Sequence, residues 1–417
     1  MISKQLSRKI NIGYGAIQFV SVASSFIMFC YVSLILKSKN FSDTEIGLAA
    51  ALGSAVSVIL PPLISAFYAR HANLPLKRII AFVLLVTLVF VILLILVNSP
   101  VVFVMCIFAI IVGTMISVYS LVNALAMQFE NIGVPINYGL TRAVGSMGSA
   151  SLGFVTGLIM EKMGGAAAAL VFYAFLLCVV IVLVLTFTRP DKLGIKKPNV
   201  AKPEVPRTIV FSGVGKILKE PVCILFFLVM FFFICNQAAL DTYQVNILRS
   251  HGGNDMDYGT LLLVMSACEI PLMMCFKFLI KRFSYARLLT FGFFFLIVKN
   301  VALLLSTSVA GMIAAQTLNL VSISLIVPAS VYYSNAIVDK DQAVQAQALF
   351  AGTATGMGRI VGNILAGVIV DNAGLPMMLI VCTGYVFAGI ICIQFSSSLH
   401  KKRHPELELA AEEASAF

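Results

Sequence analysis

The sequence predicts an all-α membrane protein with twelve transmembrane helices in two pseudo-symmetric six-helix bundles. Three observations carry that expectation: an apolar composition, twelve apolar runs of spanning length, and an internal repeat near half the chain length. The 417 residues are 60% hydrophobic and only 11% charged, with a mean hydropathy of +1.00. A soluble domain carries roughly 25% charged residues, so most of this surface must face lipid. The net charge of +11 is scattered through short hydrophilic gaps, without the basic stripe and aromatic neighbours of a nucleic-acid-binding protein.

A bilayer core needs roughly 20 apolar residues per helix. Runs of that length occupy 13–36, 45–68, 78–97, 100–127, 139–160 and 166–187 in the first half. In the second half they occupy 221–248, 258–280, 285–306, 309–337, 345–369 and 374–396. The first run is too long for a signal-peptide core and is read as an uncleaved helix. Ser42-Asp43-Thr44-Glu45 has the pattern of a capping box opening the second helix. Asn98-Ser99-Pro100, Gly164-Gly165, His251-Gly252-Gly253-Asn254 and Asn372-Ala373-Gly374 supply turn chemistry at four breaks. The expected divisions are 1–187 for the first bundle, 188–220 for a Lys- and Pro-rich cytoplasmic linker, 221–399 for the second bundle and 400–417 for a tail.

Alternate gaps differ sharply in charge. One side collects 21 Lys and Arg, including eight in the linker, and the other only Lys37, Lys39, Lys162 and Arg249. The positive-inside rule therefore places both termini in the cytoplasm of a cell bounded by this (plasma or inner) membrane. All nine cysteines fall in apolar runs without ligand spacing, so neither a disulfide, a metal nor a cofactor is expected.

Sliding the chain by 210 residues sets Met147-Gly148 on Met357-Gly358 and Gly157 on Gly367. A shift of 212 sets Glu45-Ile46-Gly47 on Asp257-Tyr258-Gly259 and Arg70 on Arg282. Two helix pairs at nearly one offset point to a duplicated six-helix unit. Gly153/Gly157 and Gly358/Gly362 have the spacing that brings helix backbones close.

Charge inside a bilayer is costly and marks function or pairing. Asp241, Glu269, Lys299 and Arg359 lie well inside apolar runs, and Arg142 lies near the inner end of the fifth. Counting about 1.5 Å per residue, the first four fall at roughly 10–17 Å below the outer surface. Two acids and two bases at one depth suit substrate binding or proton coupling, the alternative being static ion pairs. A carboxylate held ionised by a neighbouring base takes up a proton when that partner leaves, and Asp241 and Glu269 are the candidates. Tyr14, Gln18, Tyr119, Asn123, Asn236, Gln237, Gln316 and Asn319 are further hydrogen-bonding residues within the runs.

These residues resemble the major facilitator superfamily, and within it the branch of the lactose permease and other oligosaccharide–proton symporters. Asn137-Tyr138-Gly139-Leu140-Thr141-Arg142-Ala143-Val144-Gly145 is similar to that branch's entry into its fifth helix. The resemblance implies a substrate-binding role for Arg142, for Glu269 in Cys268-Glu269, and for Lys299 in place of a ninth-helix arginine. Asn123 falls near a fourth-helix acidic sugar ligand, and Ser149 where a stacking tryptophan would stand. Asn319 and Ser322 replace the tenth-helix histidine and glutamate of the permease. The cytoplasmic motif between the second and third helices survives in part, as Ser65 to Arg70 with Lys77-Arg78, with Ala69 at its usual aspartate. The repeat puts Arg359 where Ser149 stands in the first half.

The resemblance implies a secondary transporter and not an enzyme: proton-coupled symport of a small polar solute, such as a sugar or nucleoside, by a monomer in the lipid bilayer. Its expected substrate-binding set is Arg142, Glu269, Asn123, Ser149, Gln18, Asn319 and Lys299. Its expected coupling set is Asp241, Glu269, Lys299 and Arg359. Proton-driven efflux of lipophilic compounds and a membrane-embedded receptor or scaffold are the alternatives.

Overall fold

The structure, a computed structural model, describes residues 4–70, 74–98, 100–130, 132, 134, 136, 138–188, 217, 219–338 and 348–403. The described chain is built of helices: α1 Lys4–Cys30, α2 Val32–Lys37, α3 Asp43–Arg70, α4 Leu76–Leu96, α5 Val101–Glu130, α6 Tyr138–Met163 and α7 Ala166–Thr186. After the linker come α8 Pro221–Ser250, α9 Asp255–Leu279, α10 Tyr285–Leu305, α11 Val309–Gln316, α12 Ile323–Ala336 and α13 Ala354–Arg403. Most of the expected linker, 189–216 and 218, lies outside the described residues.

Eleven of the described helical segments are long and apolar enough to cross a membrane. The last of them, within α13, is two spans. Gly374 (φ 80°, ψ 174°) leaves helical geometry there, with Pro376 just beyond it. Only glycine adopts that backbone without strain, so the break falls where Asn372-Ala373-Gly374 predicts it. The first helix starts earlier than expected, at Lys4, because nothing in its basic N-terminal turns interrupts a helix. The tenth span is not one helix. Between α11 and α12 the backbone tightens into a 3₁₀ turn over Thr317–Leu320, and Ser322 (ψ −79°) precedes the restart.

By internal contacts the chain divides into two compact units: Met1–Glu204 with Asp241–Ala267, and Val205–Leu240 with Cys268–Phe417. The segment Asp241–Ala267, the facing ends of α8 and α9 with their loop, thus joins the unit formed by the first repeat. In the first unit α1 packs on α5, α6 and α7, while α4 and α5 pack on each other. In the second, α10 packs on α12 and α13 around Phe226, Phe233, Phe293, Leu296, Tyr333 and Val386. Large apolar side chains such as Phe82, Phe175, Phe278, Phe294 and Phe387 are exposed, which only a lipid-facing surface makes favourable.

The repeat is visible in atomic detail. Ser42 N donates to Glu45 Oε2 (2.8 Å) and Glu45 N to Ser42 Oγ (3.2 Å), the capping box that the sequence predicts. At the same positions of the second copy, Asn254 N donates to Asp257 Oδ2 (3.0 Å) and Asp257 N to Asn254 Oδ1 (2.8 Å). Asn40 (φ 64°) and Gly252 (φ 82°) turn the two loops, and ion pairs close them: Lys37–Asp43 at 3.1 Å and Arg249–Asp255 at 2.6 Å. All four features recur at the 212-residue offset. The glycines follow the same rule. A Cβ on Gly148 would run into the Phe19 backbone of α1, and one on Gly358 would come within 2.9 Å of Phe231 O on α8. Gly362 sits as closely on Cys235 O, and Gly157 on Gly259, so these positions set helix spacing. Gly153 has ordinary clearance.

Candidate functional site

Each unit carries a polar cluster in its interior. In the first, Tyr14 and Gln18 stand one turn apart on α1 and face Asn123 on α5. Gln18 Nε2 donates to Asn123 Oδ1 (3.1 Å) and to the Tyr14 hydroxyl oxygen, and Tyr14 OH lies 3.5 Å from Asn123 Oδ1. Gln18 is 1% exposed, and its Oε1 is enclosed without a hydrogen-bond partner. The Oγ of Ser21, the next turn along, is in the same condition. A buried acceptor left open costs about 1–3 kcal/mol. The close α1–α6 packing at Gly145 and Gly148 fixes the orientation of that face.

Ser149 belongs to α6 rather than to this cluster. It is buried, and its Oγ donates back to Gly145 O at 3.4 Å, one turn earlier on its own helix. Arg142 lies in the first turns of α6, but its side chain is outside the described residues.

The second unit holds opposite charges linked by an amide. Lys299 on α10 is 2% exposed, and its Nζ donates to Asn319 Oδ1 at 2.8 Å. Asn319 Nδ2 donates to Glu269 Oε1 on α9 at 3.1 Å. An ammonium only donates and a carboxylate only accepts, so the two charges dictate which way the Asn319 amide faces. The 3₁₀ turn is what delivers Asn319 to this place. Ser324 Oγ lies 3.0 Å from both Asn319 O and Glu269 O, tying the turn to α9. A second chain runs alongside it: Asn300 Nδ2 donates to Asn236 Oδ1 (2.7 Å), and Asn236 Nδ2 to Gln237 Oε1 (3.1 Å). Asn300 Oδ1 and both polar atoms of Gln316 are buried without a partner.

The structure thus brings together Glu269, Asn319 and Lys299, and separately Gln18 and Asn123. Arg359, half-buried on α13, lies in the same unit as the charged chain, whereas Asp241 falls in the other unit. Ser21, Asn300 and Ser324 escape a search for isolated charges, because serine and asparagine in apolar runs commonly bond their own helix. The nine thiols are free, and among the described residues no group of three or more His, Cys, Asp or Glu is placed to hold a metal.

Residues 13–380 match the model of the MFS_1 like family. No curated protein sequence matches the chain. Among solved structures the fold is similar to a variant of the nucleoside transporter NupG, with TM-score 0.79 and 13% identity over 93% of this chain and 99% of that one. NupG itself gives TM-score 0.74 at 13% identity, over 98% and 99% of the two chains. A bacterial homologue of the human lysosomal transporter Spinster, inward-facing and unoccupied, gives TM-score 0.71 at 14% identity over 96% and 98%.

Proposed function

Because the chain belongs to the MFS_1-like family, and is therefore a multi-pass membrane transporter and not an enzyme, we propose that it is a proton-coupled symporter of a small polar solute, a sugar or nucleoside. The observation that carries this reading is the Lys299–Asn319–Glu269 chain. A lysine and a glutamate in a membrane interior cost several kcal/mol unless each is paired, and here a single amide serves both. The amide keeps the charges in register but has no titrating proton of its own to pass between them. Glu269 can then take a proton when its link to Asn319 is loosened, and losing the carboxylate charge in turn releases Asn319 and Lys299 for solute. This makes proton uptake and solute binding two sides of one rearrangement.

The uncharged cluster of Tyr14, Gln18, Ser21 and Asn123 supplies neutral hydrogen bonds suited to hydroxyls or to the edge of a nucleobase. Support for the nucleoside branch comes from the abundance of carboxamides in both clusters, since each carries a donor beside an acceptor. NupG is a nucleoside transporter of the same fold. In this reading Arg142 contributes to solute binding, Asp241 and Arg359 belong to the coupling groups, and Ser149 serves helix packing. The protein works by alternating access as a monomer in the plasma or inner membrane, with both termini cytoplasmic, as the charge asymmetry of its loops implies.

The test is a ligand panel on purified protein, read as thermal stabilisation at two pH values. A ligand that binds only the folded state raises stability by mass action. Sugars or nucleosides are expected to stabilise it with a pH dependence that Glu269→Gln removes. Stabilisation by hydrophobic cations alone would sink the symporter reading.

A further inference from the structure

Proton uptake by Glu269 changes the charge balance of the second unit. Well inside the spans of that unit, the described residues carry three charged side chains: Glu269 on α9, Lys299 on α10 and Arg359 on α13. The stretch of α8 in the same unit, 221–240, has no charged residue, and neither have α11 and α12. Away from the span ends, the other titratable side chains of these segments are cysteine thiols and tyrosine phenols, neutral near pH 7. The three charges therefore sum to +1 with Glu269 ionised and to +2 once it is protonated.

Lys299 is where that change is felt most. Its ammonium is 2% exposed and donates to Asn319 Oδ1 at 2.8 Å, and the carboxylate of Glu269 faces it across the same amide. An amide oxygen offers a partial charge, whereas the carboxylate offers a whole one. Adding positive charge to a membrane interior is costly unless an opposite charge accompanies it. A neutral sugar or nucleoside brings dipoles alone. A solute with one carboxylate brings the missing unit of charge and returns the sum to +1, while a phosphate monoester, at about −1.5 to −2, overshoots it. A second donor stands nearby. Gln316, 0% exposed, precedes Asn319 by three residues and so lies on the same side of the chain. Its Nε2 and Oε1 are both buried without a hydrogen-bond partner.

We propose, on the basis of the symporter reading, that the solute carries a single carboxylate, as a sugar acid or a carboxylated nucleoside does. That carboxylate accepts from Lys299 Nζ and Gln316 Nε2 while Glu269 is protonated. One oxygen serves each donor, and the solute stands in for the charge that Glu269 has given up. One proton and one monoanion then cross together, so the cargo has no net charge. Gln316 is a specificity-determining residue in this arrangement, because it donates to the carboxylate and plays no part in the Lys299–Asn319–Glu269 chain.

The test is affinity for matched pairs, read by thermal shift of the purified full-length protein: glucose and glucuronate, galactose and galacturonate, uridine and uridine 5′-carboxylate. Glucose 6-phosphate and uridine 5′-monophosphate serve as the more highly charged controls. In a pair that is recognised, the carboxylate is expected to bind at least about tenfold tighter than its neutral partner. Equal or tighter binding of the neutral member, or of the phosphate, overturns the carboxylate and leaves the symporter reading standing. Binding of no member of any pair removes both. Gln316→Leu keeps the bulk of the side chain and deletes two buried polar atoms, so its melting temperature should not fall. It should weaken the carboxylate about tenfold and the neutral partner by less than about twofold. Unaltered carboxylate affinity in this variant overturns the role of Gln316. In vesicles, uptake of the recognised carboxylate under a pH gradient should change by less than about twofold when an inside-negative potassium potential is imposed. Stimulation beyond that means a cargo of net positive charge and overturns the one-to-one pairing.

Discussion

Among the described residues, the polar cluster of the first unit is made of amides and hydroxyls, whereas that of the second is built around two opposite charges. Tyr14, Gln18 and Asn123 satisfy one another in part and leave Gln18 Oε1 and Ser21 Oγ open. Lys299, Asn319 and Glu269 form a chain in which each charge is met. The two clusters are not copies of one another, since at the 212-residue offset Tyr14, Gln18 and Asn123 fall on Phe226, Met230 and Asn335, so each unit builds its cluster on different helices. The neutral cluster can change partners at little electrostatic cost. The charged one cannot change without moving a proton or a counter-charge, which is what coupling requires.

The sharpest way to break that comparison is Glu269→Gln. The isostere keeps an oxygen for the Asn319 amide but removes the carboxylate charge that faces Lys299 across that amide, at a cost of about 3 kcal/mol. Proton-driven uptake in vesicles should fall on the order of a hundredfold. Retention of more than a tenth of wild-type uptake would remove Glu269 from the coupling role. Next in size is a matched pair, Asn319→Leu and Asn123→Leu, read as thermal stability in detergent. The first separates two charges from their common partner and should cost about 3 kcal/mol; the second removes neutral hydrogen bonds and should cost about 1 kcal/mol. Equal losses would mean that the charged chain has no special standing.

A third pair tests the shared backbone beneath the divergence. Gly148→Val and Gly358→Val occupy equivalent positions and meet α1 and α8 backbone respectively. Both should destabilise by about 1–3 kcal/mol, as overpacked contacts do. Gly153→Ala, which has ordinary clearance, should be near neutral. A loss at only one of the first two positions would show that the repeat is not conserved in its packing.

Much of this organisation is legible in the sequence, for physical reasons that differ by feature. Hydropathy alone finds the spans, because a lipid-exposed helix has no freedom to hide its composition. The Ser42 capping box and the Gly374 break are local backbone chemistry, and a few neighbouring residues suffice to read them. Glu269 and Lys299 stand out because charge is rare in apolar runs. The link between them does not, since it depends on the 3₁₀ turn at Thr317–Leu320, and Thr-Leu-Asn-Leu contains no helix breaker. Nor is it legible in the sequence that Asp241 falls in the other unit from Glu269. Depth along a helix says nothing about which neighbours a helix has. The capture of Asp241–Ala267 by the first unit rests on Tyr243, Asn246 and Tyr258, polar residues near helix ends that carry no distinguishing pattern.

The smallest expected effect lies in the two loops, at a position where the copies differ. Lys39 and His251 are equivalent at the 212-residue offset. His251 Nδ1 stays within its own hairpin, 2.8 Å from Ile247 O. Lys39 reaches across to α4, donating to Val97 O and Asn98 Oδ1, both at 2.8 Å, and so closes the C-terminal end of that helix. It is 8% exposed, and burial lowers its pKa from the ordinary lysine value of 10.5. The folded protein therefore gives up this proton at a lower pH than the unfolded chain. Between the lowered value and 10.5 the unfolded state binds more protons, so the Lys39 contribution makes stability rise with pH across that window. Lys39→Met should cost about 1 kcal/mol near neutral pH by removing two bonds to the end of α4, and should flatten the rise at alkaline pH. His251→Asn should do neither, because the His251 Nδ1 bonds to Ile247 O and Ser250 Oγ stay within its own hairpin. Thermal melts of the three proteins from neutral pH to just below 10.5 separate the outcomes, and a parallel response in the His251 variant would mean that the rise belongs to the hairpins in general rather than to the Lys39 bridge.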